Sequence, residues 1–315
     1  MKIVVLDRNS IGMDTPFSGL EKFGMLTVYD STDDEQIIGR IADADVVVLN
    51  KIKMTEEIIE SCKKMKLICI FATGYDNIDI HAAKRCGVGV CNVPGYSTDS
   101  VALFTLANVL ALYTNLREYN SYVTSGDYSS YSQPNKLTPV YHEIRGKTWG
   151  IIGLGNIGRA VAEVAKALGA RVLANKRTPV EDYECVDVDT ICRESDIITI
   201  HCPLTEQTRN IIDEKRISLM KREVVIVNEA RGAVVNERDI ANAIKKGMIG
   251  AFGSDVYSKE PFTTDHPFYE IKGYDNVLLT PHAAWGAYES RLRCINIICE
   301  NIEDYLVGGR KNRVD

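Results

Sequence analysis

The 315-residue sequence contains no apolar run that approaches the ~20 residues a helix needs to cross a bilayer. Its first residues, MKIVVLDRNS, lack the long apolar core after a basic flank that a secretory signal requires. Basic residues are not in excess, since 37 Lys and Arg stand against 43 Asp and Glu and the net charge is −6. These features disfavour membrane or nucleic acid as the main partner, and we expect a cytoplasmic protein.

The nine cysteines include no CxxC pair, which disfavours a structural zinc site or a thioredoxin-like motif. Most of them lie inside apolar runs such as LICIF and VGVCNV. We therefore expect reduced, buried thiols and no metal site.

Short apolar, β-branched runs alternate with helical patterns along most of the chain. The first series lies at 2–7, 45–50, 67–72 and 88–93. The second lies at 148–154, 171–175, 196–203, 223–230, 249–256 and 276–282. These runs are continuously apolar, which is typical of parallel strands covered on both faces. The pattern and the length predict an α/β protein of two domains, one a doubly wound parallel sheet of the Rossmann type.

The sequence between the two series differs in character. VALFTLANVLALYTNLREYN (101–120) predicts a long buried helix, and the polar, Tyr-rich stretch 121–142 predicts an irregular arm. SRLRCINIICENIEDYLVGG (290–309) predicts an amphipathic helix that packs back on the first module. We therefore expect one domain from 1–97 and 284–315 and a dinucleotide-binding domain from 98–283. The helix and arm (98–142) belong to the second.

The segment GLGNIG has the spacing G-x-G-x-x-G, with Gly153, Gly155 and Gly158. A predicted strand precedes it and a predicted helix and strand follow, which is the context of a dinucleotide site. Gly153 would allow the tight turn, Gly155 the approach of a pyrophosphate, and Gly158 close packing of helix on sheet. The pyrophosphate would lie on N–H groups at the helix N-terminus. The alternative is a tight turn without a ligand.

The end of the strand after that helix predicts which dinucleotide binds. An acidic residue there would bind the ribose 2′-hydroxyl of NAD. The local sequence is instead Asn175-Lys176-Arg177-Thr178, with no carboxylate until Glu181. Two cations suit a 2′-phosphate, and arginine can pair with it bidentately. We therefore predict NADP(H), with NAD(H) as the alternative if both cations are solvated surface charges.

Three further motifs follow predicted strands: NEARGA (228–233), DVYSKEP (255–261) and TPHAAW (280–285). Hydride transfer from a dinucleotide to a carbonyl beside a carboxylate would need a cation for the carboxylate and carbonyl, a general acid, and a carboxylate that orients the acid. Arg231, His282 and Glu260 supply one of each. Among the five histidines, His282 alone follows an apolar strand and precedes a helix. His201, at another strand end, is a candidate for the cofactor pocket.

Over nearly the whole chain these residues resemble the D-isomer-specific 2-hydroxyacid dehydrogenases. The likeness includes, in order, ATGYDNIDIHAAKRCGVGVCNVPGYSTDSVA (72–102), GLGNIG, HCPLT (201–205), NEARGAVV, SDVYSKEP and TPHAAW. The segments LNKIKMT (49–55), CNVPGYST and PHAAW are most similar to the glycerate dehydrogenase/hydroxypyruvate reductase branch. The resemblance implies a flavodoxin-like substrate domain beside the Rossmann domain, with the site in the cleft between them. It implies His282 as acid/base, Glu260 as its partner and Arg231 as substrate anchor.

The resemblance also implies the contacts of cofactor and substrate. Backbone amides around Thr73, Gly74 and Tyr75 would hold the substrate carboxylate, and Asp255 would bind the nicotinamide carboxamide. Trp285 would cap the hydroxymethyl end of the substrate, with hinge packing as the alternative. The expected cofactor-binding residues are Gly153, Gly155, Asn156, Ile157, Gly158, Lys176, Arg177, Cys202, Pro203, Thr208, Glu229, Ala230, Asp255 and His282. Family members are usually homodimers joined through the long helix and arm, here 98–142.

Two positions depart from the family pattern. Lys176-Arg177 replace the acidic residue of NAD-using members, and Glu229 stands where Thr, Ser or Val is commoner. We expect an oxidoreductase that transfers hydride between NADP(H) and a small 2-keto acid, giving D-glycerate from hydroxypyruvate or glycolate from glyoxylate. The alternatives are an NAD(P)-sensing, corepressor-like binding protein and a dehydrogenase for another 2-hydroxy acid, or for formate or phosphite. Glu260 disfavours formate, because formate-type enzymes pair the histidine with Gln.

Overall fold

The computed structural model describes residues 1–130 and 132–315. Tyr131, which falls in the predicted arm, lies outside the described residues. The chain forms two compact units, Met1–Ser97 with Trp285–Asp315, and Thr98–Ala284. All nine cysteines are unpaired, and most of them are buried.

A five-stranded, all-parallel sheet lies at the centre of the first unit. Its strands are β1 (Lys2–Val5), β2 (Met25–Val28), β3 (Val46–Leu49), β4 (Leu67–Ile70) and β5 (Gly89–Cys91), in the order β2-β1-β3-β4-β5. Helices α1 (Ser18–Glu21), α2 (Ile37–Ile41), α3 (Glu56–Ser61) and α4 (Ile80–Arg85) connect them. The C-terminal helix Tyr288–Leu306 buries its apolar face in this unit's core. The strand order is that of flavodoxin-like folds.

A seven-stranded, all-parallel sheet lies at the centre of the second unit. Its strands are β6 (Thr148–Ile152), β7 (Arg171–Asn175), β8 (Glu184–Cys185), β9 (Ile197–Ile200), β10 (Val225–Asn228), β11 (Ala251–Ser254) and β12 (Val277–Leu279). Their order is β12-β11-β10-β9-β6-β7-β8, which is the Rossmann order extended by a seventh strand. The predicted pair of parallel α/β domains is confirmed.

The helices of the second unit begin with the segment predicted as one long helix. It is broken at Asn115, which has a left-handed φ of 54°, into α5 (Thr98–Tyr113) and α6 (Leu116–Thr124) at 65° to each other. The remaining helices are α7 (Asp127–Ser130), α8 (Asn156–Ala167), α9 (Val188–Glu194), α10 (Glu214–Ile217) and α11 (Glu237–Lys245). Over the described ranges, no single helix is long and apolar enough to span a membrane; α5 and α6 meet that criterion only as a bent pair, by length and composition.

Candidate active site

Three predicted site residues lie in loops at one edge of the second sheet. β10, β11 and β12 are parallel neighbours, so their carboxyl ends meet at the same edge. Arg231 lies in the loop after β10, Glu260 in the loop after β11, and His282 in the loop after β12.

His282 and Glu260 form a hydrogen-bonded pair. The imidazole Nδ1 lies 2.6 Å from the Glu260 Oε2, and the N–H of Tyr257 donates to the Glu260 Oε1 at 2.9 Å. Both side chains are partly exposed, at 29% and 31%. Because Nδ1 faces the carboxylate, Nε2 is the ring atom that can pass a proton to a substrate. The pair thus has the geometry of an oriented general acid.

The backbone of His282 is in the left-handed region, with φ 53°, where a side chain is strained. Asp255, only 1% exposed, holds this loop. Its carboxylate accepts from the Thr280 hydroxyl at 2.7 Å and from the N–H groups of Ala283 and Ala284, each at 2.8 Å. Asp255, predicted to bind the cofactor, therefore also positions the loop that carries His282.

Two hydrogen bonds of the Asn228 side chain fix the loop that carries Arg231. The Asn228 side chain accepts from the Ala230 N–H at 3.1 Å and donates to the Arg231 carbonyl at 3.0 Å. The Arg231 guanidinium is exposed, with Nη1 donating to the Ala230 carbonyl at 2.8 Å. A Cβ on Gly232 would lie 1.9 Å from the carbonyl carbon of Tyr257. The Arg231 loop therefore packs directly on the backbone of the loop that carries Glu260.

A buried pair that the sequence does not reveal supports the Glu260 loop. The carboxylate of Glu237, on α11, accepts from the N–H of Ser258 at 2.8 Å and lies 3.0 Å from the His266 Nε2. The His266 Nδ1 accepts from the Phe268 N–H at 3.2 Å, so Nε2 is the ring nitrogen that donates to Glu237. The two residues lie far apart in sequence, and no motif links them.

The glycine-rich turn has the geometry that the sequence predicts. Gly153 has φ 101°, and a Cβ there would lie 2.4 Å from the backbone nitrogen of Cys202. A Cβ on Gly158 would lie 2.2 Å from the Gly153 carbonyl oxygen. A Cβ on Gly155, in contrast, would meet no atom of residues 1–130 or 132–315 within 4 Å. The N-terminus of α8, which no side chain caps, therefore opens onto space that a ligand could fill.

Three side chains stand in a row across the carboxyl ends of β9, β10 and β11. Strand register places Asn228 beside Ile200 and Ser254, so the next residues, His201, Glu229 and Asp255, are neighbours. Both ring nitrogens of His201 and the Glu229 Oε2 are buried without a partner in the described chain. Such atoms are costly unless a ligand satisfies them, at about 1–3 kcal/mol each.

The charges of this row follow from burial. Burial lowers the pKa of His201 to about 3, so its ring is neutral. Burial, and then the charge of Asp255, raise the pKa of Glu229 to about 8, although a hydrogen bond from Asn108 opposes the shift. The row therefore presents neutral donors and acceptors next to one carboxylate, which suits a polar ligand.

The remaining predicted cofactor residues differ in what they contact. Lys176 and Arg177 follow β7, and neither has a carboxylate within ion-pair distance in the part of the chain described. The Thr208 hydroxyl donates to the Pro203 carbonyl at 2.6 Å and so closes its own loop. Asn156 and Ile157 begin α8, while Cys202 and Ala230 are buried. Burial raises the pKa of the Cys202 thiol to about 11, so the thiol is uncharged at neutral pH.

The predicted substrate residues Thr73, Gly74 and Tyr75 lie in the first unit, in the loop after β4. The Thr73 hydroxyl donates to the Val93 carbonyl at 2.8 Å, and this hydrogen bond fixes the position of the loop. The N–H groups of Gly74 and Tyr75 have no acceptor within the described ranges and can bind an anion. The Trp285 ring packs edge-on against Tyr96, with centroids 6.3 Å apart.

Comparison with known proteins shows which sequences and structures this chain resembles. Residues 106–284 match the model of the family described as D-isomer specific 2-hydroxyacid dehydrogenase, NAD binding domain. A hydroxypyruvate reductase of Blautia hydrogenotrophica is 38% identical over 326 residues, covering 100% of both chains. A glycerate dehydrogenase of Methylorubrum extorquens is 33% identical, covering 100% of this chain and 99% of the relative. The solved structure of an acyclic imino acid reductase in complex with NADPH and D-Arg has a TM-score of 0.88 at 31% identity, with 100% of both chains covered.

Proposed function

The chain belongs to the D-isomer-specific 2-hydroxyacid dehydrogenase family, in the branch of hydroxypyruvate reductases and glycerate dehydrogenases, and we propose that it reduces hydroxypyruvate and glyoxylate with NADPH. The products are D-glycerate and glycolate. The observation that carries the proposal is the His282–Glu260 pair beside the Arg231 loop. The family and the branch predicted from the sequence are confirmed.

The residues of the second unit fit a nicotinamide dinucleotide. The open space at Gly155 and the uncapped N-terminus of α8 suit a pyrophosphate, and the unpartnered atoms of His201 and Glu229 suit the polar groups nearer the nicotinamide. When bound, this cofactor supplies hydride-transfer chemistry at the keto carbon. The chain's own residues bind and orient the keto acid and deliver the proton.

The three proposed catalytic residues have different tasks. Arg231 binds the substrate carboxylate and polarises the keto oxygen, because its exposed guanidinium can donate to two oxygens at once. His282 holds a proton on Nε2 and gives it to the keto oxygen as that oxygen becomes an alkoxide. Glu260 accepts from Nδ1, which fixes the ring and stabilises the imidazolium.

The preference for NADPH is assigned to Lys176 and Arg177. Two cations without a carboxylate partner in the described chain favour a 2′-phosphate at the end of β7. The test is the steady-state reduction of hydroxypyruvate and glyoxylate with NADPH and NADH. We expect at least a tenfold higher kcat/KM with NADPH, which is about 1.4 kcal/mol. Replacing both cations by alanine should abolish the preference.

A matched control is Lys246→Ala, which removes an exposed cation after α11 and should leave the cofactor preference unchanged. A wild-type preference for NADH would overturn the assignment of Lys176 and Arg177. Failure to reduce either keto acid with both cofactors would overturn the substrate proposal.

The exposed apolar side chains of α5, α6 and the arm support a homodimer. They are Leu103, Leu110, Leu116, Val123, Tyr128, Leu137, Val140 and Tyr141. We propose that a second copy of the chain covers them through 98–142, since a surface of this kind is an interaction site. Light scattering should report a dimer, and Leu103→Glu should shift it towards monomer. The acidic net charge and the unpaired cysteines support a cytoplasmic location.

A further inference from the structure

Glu229 is a buried carboxyl group that the proposed reaction does not use. It follows the last residue of β10 and is 8% exposed. Its Oε1 accepts from the Asn108 side-chain amide of α5 at 2.6 Å, and its Oε2 has no partner in the described chain. With a pKa of about 8, the group is mainly a neutral acid at neutral pH. A protonated carboxyl thus stands in the row that borders the proposed cofactor site.

The groups packed around Glu229 explain why it keeps its proton. From β11, the carboxylate of Asp255 opposes a second negative charge, and from β9, His201 is neutral. Tyr257 has its own pKa raised by burial and by nearby carboxylates, so it is neutral as well. Asn108 stabilises the carboxylate only by a hydrogen bond. Over the described ranges, no cation forms an ion pair with Glu229, so at neutral pH a ligand must supply the positive charge that would favour the carboxylate.

On the basis of the cofactor site proposed above, we propose that Glu229 discriminates between the two redox forms of the cofactor. It keeps its proton beside the uncharged reduced nicotinamide and releases it to solvent when the positively charged oxidised nicotinamide binds. Only the carboxyl O–H bond breaks, no electrons move, and the carboxylate that remains pairs with the ligand's charge. The affinity for the oxidised form therefore rises with pH, whereas the affinity for the reduced form does not follow this ionisation.

Titration calorimetry of the full chain tests this without any turnover. Binding of NADP⁺ and of NADPH at pH 7 is measured in two buffers of different ionisation enthalpy, which counts the protons released. We expect release of about one proton with NADP⁺ and none with NADPH. Between pH 6 and 8, the Kd of NADP⁺ should fall by up to about tenfold per pH unit relative to that of NADPH. Comparing the Kd of NADP⁺ with that of NADPH cancels the contribution of the 2′-phosphate to the pH dependence, because both forms carry this group.

Glu229→Gln should abolish the proton release and the extra pH dependence. Glu223→Gln, which makes the same replacement at an exposed residue before the opposite end of β10, should retain both. Equal proton release in the wild type and Glu229→Gln, or equal release with the two redox forms, would overturn the proposal.

Asn108→Ala gives a second test that does not depend on the behaviour of Glu229→Gln. Loss of the hydrogen bond that favours the carboxylate should move the proton release to higher pH, and an unmoved midpoint would contradict the proposal.

The proposed substrates and the proposed role of Glu229 can be refuted independently of each other. Inactivity towards keto acids with intact differential proton release overturns only the proposed substrates, and the reverse result overturns only the role of Glu229. If NADH is preferred, the same titrations are made with NAD⁺ and NADH.

Discussion

Replacing Gly232 by alanine should separate the loops that carry Arg231 and Glu260. The new Cβ would lie 1.9 Å from the carbonyl carbon of Tyr257 and 2.0 Å from the nitrogen of Ser258, both of them backbone atoms. An ordinary carbon contact is about 3.5–4.0 Å, so the loops must move apart by roughly 1.5 Å. Overpacking of this kind costs about 1–3 kcal/mol, which corresponds to a Tm lower by about 2–4 °C for each kcal/mol.

The loss of activity should exceed the loss of stability. Misplacement of catalytic groups by about 1 Å can cost roughly 100-fold in rate, and Gly232→Ala moves Arg231, the proposed substrate anchor, relative to His282, the proposed acid. We therefore expect kcat/KM for hydroxypyruvate to fall about 100-fold. The Kd of the cofactor should stay within a few-fold, because the turn at Gly153 and Gly155 is not in contact with this glycine.

A matched glycine substitution controls for the added methyl group. A Cβ on Gly273, in the same unit, would meet no atom within 4 Å, and its φ is not in the left-handed region. Gly273→Ala should therefore match the wild type in melting temperature and in kcat/KM. The packing argument is refuted if Gly232→Ala keeps at least half of the wild-type kcat/KM with an unchanged Tm.

Three further variants test the support of the site. Asp255→Ala leaves the N–H groups of Ala283 and Ala284 without their acceptor, and because only Ala284 is buried it should cost about 2 kcal/mol in urea unfolding; a loss below about 1 kcal/mol would contradict its positioning role. His266→Phe keeps the ring packing but removes a donor to the buried Glu237, so stability should drop by about 1–3 kcal/mol and kcat should fall; unchanged kcat would show that the loop does not need this pair. The Glu229 pKa is raised from 4.5 when unfolded to about 8 when folded, so the stability that it contributes below pH 4.5 is lost as pH rises through 8. Glu229→Gln should therefore raise the Tm more at pH 9 than at pH 5, and an equal change at both would contradict this pKa.

The sequence predicts the interior strands because each is buried on both faces and therefore reads as a continuous apolar run. It does not predict β2, an edge strand whose first residue, Met25, is 66% exposed, so no such run exists. The two-residue edge strand β8 is too short to give a pattern. The break at Asn115 is also missed, because one left-handed residue does not interrupt the apolar composition of the helical segment.

The same reasoning separates the catalytic residues from the residues that position them. Arg231 and His282 each follow an apolar strand, and parallel strands place such residues at one edge, so topology alone predicts their proximity. The pairs formed by Glu237 with His266 and by Asn108 with Glu229 join distant segments through side-chain contacts. No spacing in the sequence encodes those contacts, because they depend on how α11 and α5 pack on the sheet.

The ring nitrogens of His201, which have no partner in the described chain, have a consequence for the abundance of this enzyme in a cell. A ligand that satisfies buried polar atoms binds only the folded chain, and it stabilises that chain by about 2.7 kcal/mol at a concentration 100 times its Kd. When dinucleotide is scarce, a larger share of the molecules opens and becomes accessible to proteases. The lifetime of the protein would then follow the supply of nicotinamide nucleotide without any change in its synthesis.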